Sequence, residues 1–276
     1  MNAMPLEGLK VLEMGTLIAG LFCGRLLAEF GAEVIKIETP ANDQGEGGDS
    51  LAAMYGAMGA LMALHHRHQT GTGQVVDVAL YEAVFSMMES MLPEFGMTGF
   101  VRERTGASLP GIVPSNTYRC GDGQYVVIGA NGDSIFKRMM RAIGRTDLAD
   151  DPALADNAGR TRRTEDLDAA IGAWTGAHPL DQVLAVLEKA DVPSGRIYSI
   201  ADIVADIQYQ TRGMIEKHKL GDNEEIWLPG IVPKLSATPG GTKWIGTRLG
   251  EHTAEVLSAM GCDADAQADL KRRRII

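Results

Sequence analysis

Gly47-Gly48-Asp49-Ser50 stands directly ahead of LAAMYGAMGALMAL, a run that is apolar on nearly every side. A carboxylate set between flexible glycines and an apolar helix is accessible yet poorly solvated, which suits a nucleophile. Attack on a thioester by such a group gives a mixed anhydride, so it can pass on an acyl group or hold a thiol without any metal. A simpler reading exists: Asp or Ser at the head of a helix caps free N–H groups and contributes about 1 kcal/mol. Local chemistry leaves both readings of Asp49 open.

A second constellation is the turn Met14-Gly15-Thr16-Leu17-Ile18-Ala19-Gly20, which leads from a strand-like run into a helix. A glycine-rich turn at a helix N-terminus offers free N–H groups and a positive dipole end to a phosphate. Glu38, at the end of the next strand, would suit a ribose hydroxyl. The glycines fall at 15, 20 and 24, however, so G-x-G-x-x-G is absent and a dinucleotide site is disfavoured against a structural turn. His65, His66 and His68 lack the i, i+4 spacing of a helical metal pair and read as cations compensating a helix C-terminus. Cys23, Cys120 and Cys262 are odd in number and far apart, which suggests neither disulfides nor zinc. No metal ligands are expected.

The elements that must position these residues can be read in order. LKVLEM, LFCGRLLAEF and AEVIKIE predict a β-α-β unit over 9–38, with Gly31 closing its helix. A polar, glycine-rich loop follows Pro40, and a buried helix is predicted from Ser50 to His68. QVVDVAL alternates like a strand, and YEAVFSMMESMLPEF has a helical period that Pro93 is expected to end. Residues 96–117 look like a linker or a mobile loop. Beyond them NTYRC-GDGQ-YVVIGA predicts a hairpin. Helices are expected over 133–143, 162–176, 180–190 and 201–206, strands and turns over 214–237, and a last helix at HTAEVLSAMG.

Composition excludes several classes. The 276 residues suffice for one large or two modest domains with a sizeable core. No apolar run approaches the ~20 residues needed to span a bilayer, so no membrane association is expected. The 26 basic and 36 acidic residues give a net charge of −10, which disfavours nucleic-acid partners. The basic run Lys271-Arg272-Arg273-Arg274 reads as a solvated tail. MNAMPLEGLK has no basic n-region or apolar h-region, and a cytoplasmic location is expected. Glycine, at 33 residues, is in excess and implies many turns or close approaches.

PLEGLKVLEMGTLIAGLFCGRLLAEFGAEVIKIE resembles the N-terminus of the class III CoA-transferases, the CaiB/BaiF group that includes formyl-CoA transferase and carnitine CoA-transferase. GDSLAAMYGAMGALMALHHRHQTGTGQVVDVALYEAV is similar to the family's second signature, and DGQYVVIGA, DVPSGRI and LGEHTAEVL match later landmarks in order. The resemblance implies an α/β fold: a Rossmann-like large domain from residues 1–105 and 216–276 with a smaller α+β domain, 106–215, inserted, and an interlocked homodimer. It implies that Asp49 is the catalytic nucleophile and that Ile18 and Ala19 lie beside CoA. Thr39 falls where relatives often carry a basic group for the nucleotide phosphates. No permanent cofactor is implied; CoA enters as acyl-CoA donor, and a carboxylic acid accepts it. PGIVPSN, 110–116, is a candidate for selecting the acid, or simply a Pro-Gly turn.

One departure is large. In the family, further β-α units follow the strand ending K-I-E-x-P, whereas only Ala41–Gly48 intervene here before Asp49. Part of the sheet and of the CoA site is therefore expected to be missing. Two rival readings follow: an isomerase like α-methylacyl-CoA racemase, or a non-catalytic dimerising remnant.

Overall fold

A computed structural model describes residues 4–15, 18–38, 50–220 and 224–276. The chain divides into two compact units, residues 1–100 with 207–276 and residues 101–206. Both mix helices and strands. The first opens with β1 (Lys10–Glu13), α1 (Ile18–Glu29) and β2 (Glu33–Lys36), where β1 and β2 pair in parallel from Lys10 opposite Glu33 to Glu13 opposite Lys36. A parallel pair needs a crossover between its strands, and α1 supplies it. Gly31 ends α1 with φ +105°, a conformation that side chains with a Cβ rarely adopt.

Next come α2 (Ser50–Thr70), α3 (Leu80–Phe85) and α4 (Met91–Thr98). Two expectations fail here. The alternating run at 74–80 forms no ladder; residues 72–79 are irregular, and the Val76 side chain lies against α2 at Gly59. Alternation signals two faces, but a strand also needs a partner edge. The single helix expected from Tyr81 is broken into α3 and α4, and Pro93 is the third residue of α4 instead of its end. In a first turn the missing N–H of proline has no intrahelical acceptor to lose, so the ring is tolerated.

The second unit contains β3 (Ser115–Arg119), β4 (Tyr125–Gly129), α5 (Asp133–Ala142), α6 (Thr146–Ala149), a 3-10 turn at Pro152–Leu154, α7 (Asn157–Thr161), α8 (Thr164–Gly176), α9 (Leu180–Lys189), β5 (Ser194–Arg196) and α10 (Ile200–Ala205). The predicted hairpin is β3–β4, and β5 joins β4 to make an antiparallel three-stranded sheet. Strand β4 alternates, burying Val126 and Ile128. Against them pack Phe136, Met139 and Met140 of α5, Leu167 and Ile171 of α8, and Leu180, Val183 and Leu187 of α9. The i, i+3, i+4 and i+7 spacings put each set on one helix face. At about 1.5–3 kcal/mol per buried side chain, this core is a strong driving force.

The chain then re-enters the first unit with α11 (Ile207–Thr211), the antiparallel hairpin β6 (Ile215–Lys219) and β7 (Glu225–Pro229), α12 (Thr253–Ala259) and α13 (Ala264–Arg272). The basic run 271–274 is exposed, but it is not all irregular: Lys271 and Arg272 form the last turn of α13, where cations favour the helix dipole, and Arg272 and Arg273 pair with Asp269. Asp263 caps that helix by accepting from the Ala266 N–H.

The buried side chains of the first unit differ in kind. Among the described residues they are few and mostly alanines, Ala32, Ala52, Ala53, Ala57 and Ala83, with Leu27, Phe30 and Ile231 the larger ones.

Candidate functional site

Of the four residues singled out, Ile18 and Ala19 form the start of α1 and are half-buried. Their N–H groups belong to the first turn, which no helix carbonyl can satisfy. Asp49 and Thr39 lie outside the described residues. The structure thus places two of the four, both in the first turn of α1.

What holds Ile18 and Ala19 is the packing of α1 on β1 and α2. The glycines of the turn serve close approach. A Cβ built on Gly20 would meet the Gly15 Cα at 3.1 Å, and one on Gly24 would meet Oε2 of Glu13 at 3.0 Å. Glu13, at the end of β1, therefore extends its carboxylate along the glycine face of α1. The spacing of the glycines did not disclose this residue; the available signal was an acidic side chain at the strand end that faces the crossover helix. On the other side of α1, Cys23 meets α2: its Sγ would lie 3.6 Å from a Cβ on Gly56. Burial first, and then the neighbouring Glu13 carboxylate, push the Cys23 thiol above its ordinary range, so it is a packing group and not a ready nucleophile.

In the same unit a cleft of about 540 Å³ opens between Pro5–Lys10 and the end of α2 at Leu64, Arg67 and His68. It sits at the start of β1, the opposite end of that strand from Ile18 and Ala19, and neither of these two lines it. Among the described residues no group of three or more His, Cys, Asp and Glu side chains could hold a metal ion.

The second unit builds the 110–116 loop from the inside. Val113 is buried; its N–H donates to Oδ1 of Asn157 (3.0 Å), and Nδ2 of Asn157 donates to the Gly111 carbonyl (2.7 Å). Arg160, three residues further along α7, is completely buried. Its Nε donates to the Val113 carbonyl (2.9 Å), its Nη1 to Leu154 (3.2 Å), and its Nη2 to Asn131 (2.7 Å) and to the Asp133 carboxylate (2.8 Å). The guanidinium also lies 5.1 Å from the centre of the Phe136 ring. Its five donors in a rigid fork can meet carbonyls arriving from several directions, which a single ammonium cannot. Sequence reasoning missed Arg160, since one arginine in an exposed-looking polar stretch carries no local mark of burial.

Nearby, the Tyr118 hydroxyl and the Asn116 amide both donate to Asp168. Burial and then the Asp168 carboxylate push the Tyr118 phenol far above its ordinary value, so it is held as a neutral donor.

The model of the family described as CoA-transferase family III matches residues 6–47 and 44–253, two stretches that meet at 44–47. The chain is 44% identical over 230 residues to the succinyl-CoA–D-citramalate CoA-transferase of Chloroflexus aurantiacus, covering 83% of this chain and 57% of that protein. It is 36% identical over 233 residues to the alpha subunit of a succinyl-CoA–L-malate CoA-transferase of the same organism, covering 83% of this chain and 54% of the relative. The chain thus spans little more than half the length of the curated relatives it matches. Its fold is similar to that of a CaiB/BaiF family protein from Brucella suis, with a TM-score of 0.77 at 21% identity over 94% of this chain and 100% of that one.

Proposed function

The chain belongs to CoA-transferase family III, and from that premise we propose that it moves CoA from an acyl-CoA to a carboxylic acid, with Asp49 as nucleophile. The observation that carries this reading is the Gly-Asp-Ser sequence ahead of α2, inside the second matched stretch. Both relatives described above are named for succinyl-CoA and for a hydroxylated dicarboxylic acid. Succinyl-CoA is accordingly the proposed donor and a short dicarboxylate the proposed acceptor.

The chemistry proceeds in four displacements. The Asp49 carboxylate attacks the thioester carbonyl and expels CoA thiolate, leaving a mixed anhydride. The thiolate then attacks the Asp49 carbonyl of that anhydride, releasing the donor acid as its carboxylate and forming an aspartyl-CoA thioester. The acceptor carboxylate attacks this thioester, again expelling thiolate and forming a second anhydride. Thiolate finally attacks the acceptor carbonyl, giving the new acyl-CoA and free Asp49. Negative charge builds on a carbonyl oxygen at each step, and backbone N–H groups of the glycine-rich segments would stabilise it. In this reading Ile18, Ala19 and Thr39 flank the CoA, residues 1–105 with 216–276 form a Rossmann-like domain, and the protein works as a homodimer in the cytoplasm. The 110–116 loop, shaped by Asn157 and Arg160, selects the acid.

Incubation with succinyl-CoA followed by hydroxylamine should leave a hydroxamate that mass spectrometry assigns to Asp49. A folded sample that gives no adduct across a broad panel of acyl-CoA donors refutes the mechanism. A second reading rests on the break in the family match at 44–47 together with the 57% and 54% coverage of the relatives. It holds that the CoA site is incomplete and the chain is a non-catalytic remnant. Calorimetry separates the two, since the remnant binds no CoA.

A further inference from the structure

The end of α2 and the turn ahead of β1 face each other across the cleft of about 540 Å³. Leu64, Arg67 and His68 line it from α2 at i, i+3 and i+4, which puts them on one helix face. Opposite them runs Pro5–Lys10, turned at Gly8, whose φ is +84°. Leu6, Leu9 and Leu64 are half-buried and give the cleft an apolar floor, whereas Lys10, Arg67 and His68 are exposed basic groups at its rim. Compensation of the helix end accounts for only part of this. The C-terminus of α2 carries about half an elementary negative charge, and its carbonyls at His66 and Arg67 are already met by the Thr70 hydroxyl (2.9 Å) and the Gly71 N–H (2.8 Å). Neither need involves Lys10, which comes from β1. Among the described residues the Arg67 and His68 side chains make no hydrogen bond or ion pair, and Lys10 reaches only Glu33, at 3.9 Å with both side chains mostly exposed. Such a pair contributes little. The acid lining the cleft, Glu7, is engaged by its own turn and accepts the Met4 N–H (3.1 Å).

We propose that this cleft binds a small phosphate monoester with an apolar body. Lys10 and Arg67, both permanently charged, converge on it in a chain whose net charge is −10. Gathering like charges is unfavourable unless an anion joins them. A dianion matches these two cations better than a monocarboxylate does. The guanidinium fork of Arg67 holds two phosphate oxygens, Lys10 supplies a point charge, and an N–H of His68 donates to a third oxygen. A bare phosphate would leave the floor unused, so the ligand carries a short apolar group that covers Leu6, Leu9 and Leu64. A volume of about 540 Å³ lies in the range of small-molecule sites. The inference does not rest on the transfer reaction proposed for Asp49.

Calorimetric titration of the full chain with phenyl phosphate, at low salt and in a buffer free of phosphate, tests the proposal. One molecule per chain is expected to bind, with a dissociation constant on the order of 1 mM or tighter. Benzoate has the same ring with one charge, and inorganic phosphate lacks the ring; each should bind at least ~5-fold more weakly. Arg67→Gln should raise the dissociation constant for phenyl phosphate at least ~10-fold and Lys10→Gln at least ~3-fold. Arg272→Gln, in the last turn of α13, should leave it unchanged. Absence of binding overturns the proposal, as does an affinity that Arg67→Gln leaves intact. Equal binding of benzoate or of inorganic phosphate overturns the ligand class, and displacement by CoA overturns the site, since the ligand would then share the CoA pocket. Should a variant fail to fold, amide shifts of the wild-type chain decide: phenyl phosphate must move residues 5–10 and 64–68, and shifts confined to other residues refute the assignment.

Discussion

Replacing Arg160 with methionine is the most demanding perturbation of the second unit. Methionine approximates the length and apolar stem of arginine but donates no hydrogen bond. Removal leaves the carbonyls of Val113, Leu154 and Asn131 short of a donor they meet at 2.9, 3.2 and 2.7 Å. Asp133 loses its ion pair too, but its side chain is 64% exposed and regains water, so little is ascribed to that charge. Part of the loss is offset because a buried charge no longer has to be desolvated. A buried acceptor left unsatisfied costs about 1–3 kcal/mol; counting the two bonds below 3 Å in full and the longer one lightly gives about 4 kcal/mol. For a domain of about 100 residues, 1 kcal/mol shifts the melting temperature by roughly 4 °C, so a fall of about 15 °C is expected in differential scanning calorimetry. Arg160→Lys retains the charge but not the fork, and should lose about half as much. A fall below ~3 °C for Arg160→Met would refute the reasoning, since the carbonyls would then have been satisfied without the guanidinium.

Other outcomes are expected, the first from the proposed function and the rest from the geometry. Asp49→Asn should lower CoA transfer at least ~10³-fold and abolish the hydroxamate, read by single-turnover assay and mass spectrometry. Gly59→Ala should destabilise the first unit by about 1–3 kcal/mol in thermal melts, because its Cβ would fall 2.5 Å from Cγ1 of Val76. Tyr118→Phe strands the Asp168 carboxylate without one donor and should cost about 1.5–3 kcal/mol in urea melts. Asp122 accepts from the Leu180 and Gln124 N–H groups, which hold its carboxyl below the ordinary carboxylate value. A depressed folded pKa contributes stability that is complete above pH ~4 and lost as pH falls through the lowered value. The melting temperature of the second unit should therefore decline more steeply with acidification in the wild type than in Asp122→Asn.

Elements whose signals are local are legible in the amino-acid order alone. Alternating runs around Gly121-Asp122-Gly123 specify β3 and β4, and the apolar spacing of LFCGRLLAEF with Gly31 after it specifies α1 between two parallel strands. Family membership was legible as well, because long signatures survive where overall fold is not readable. Tertiary structure decided what depends on partners distant in the chain. The 74–80 run alternates but finds no strand edge, and Pro93 opens a helix instead of closing one. Arg160 is buried only because carbonyls from residues 113, 131 and 154 converge on it. Helix α2 is apolar all round in sequence, and only its packing on α1 reveals that the small side is covered and the large side bare. Periodicity fixes which residues share a face, since it follows from backbone geometry within one element. Which face is buried, and against what, is a free-energy comparison among long-range contacts that no local pattern contains.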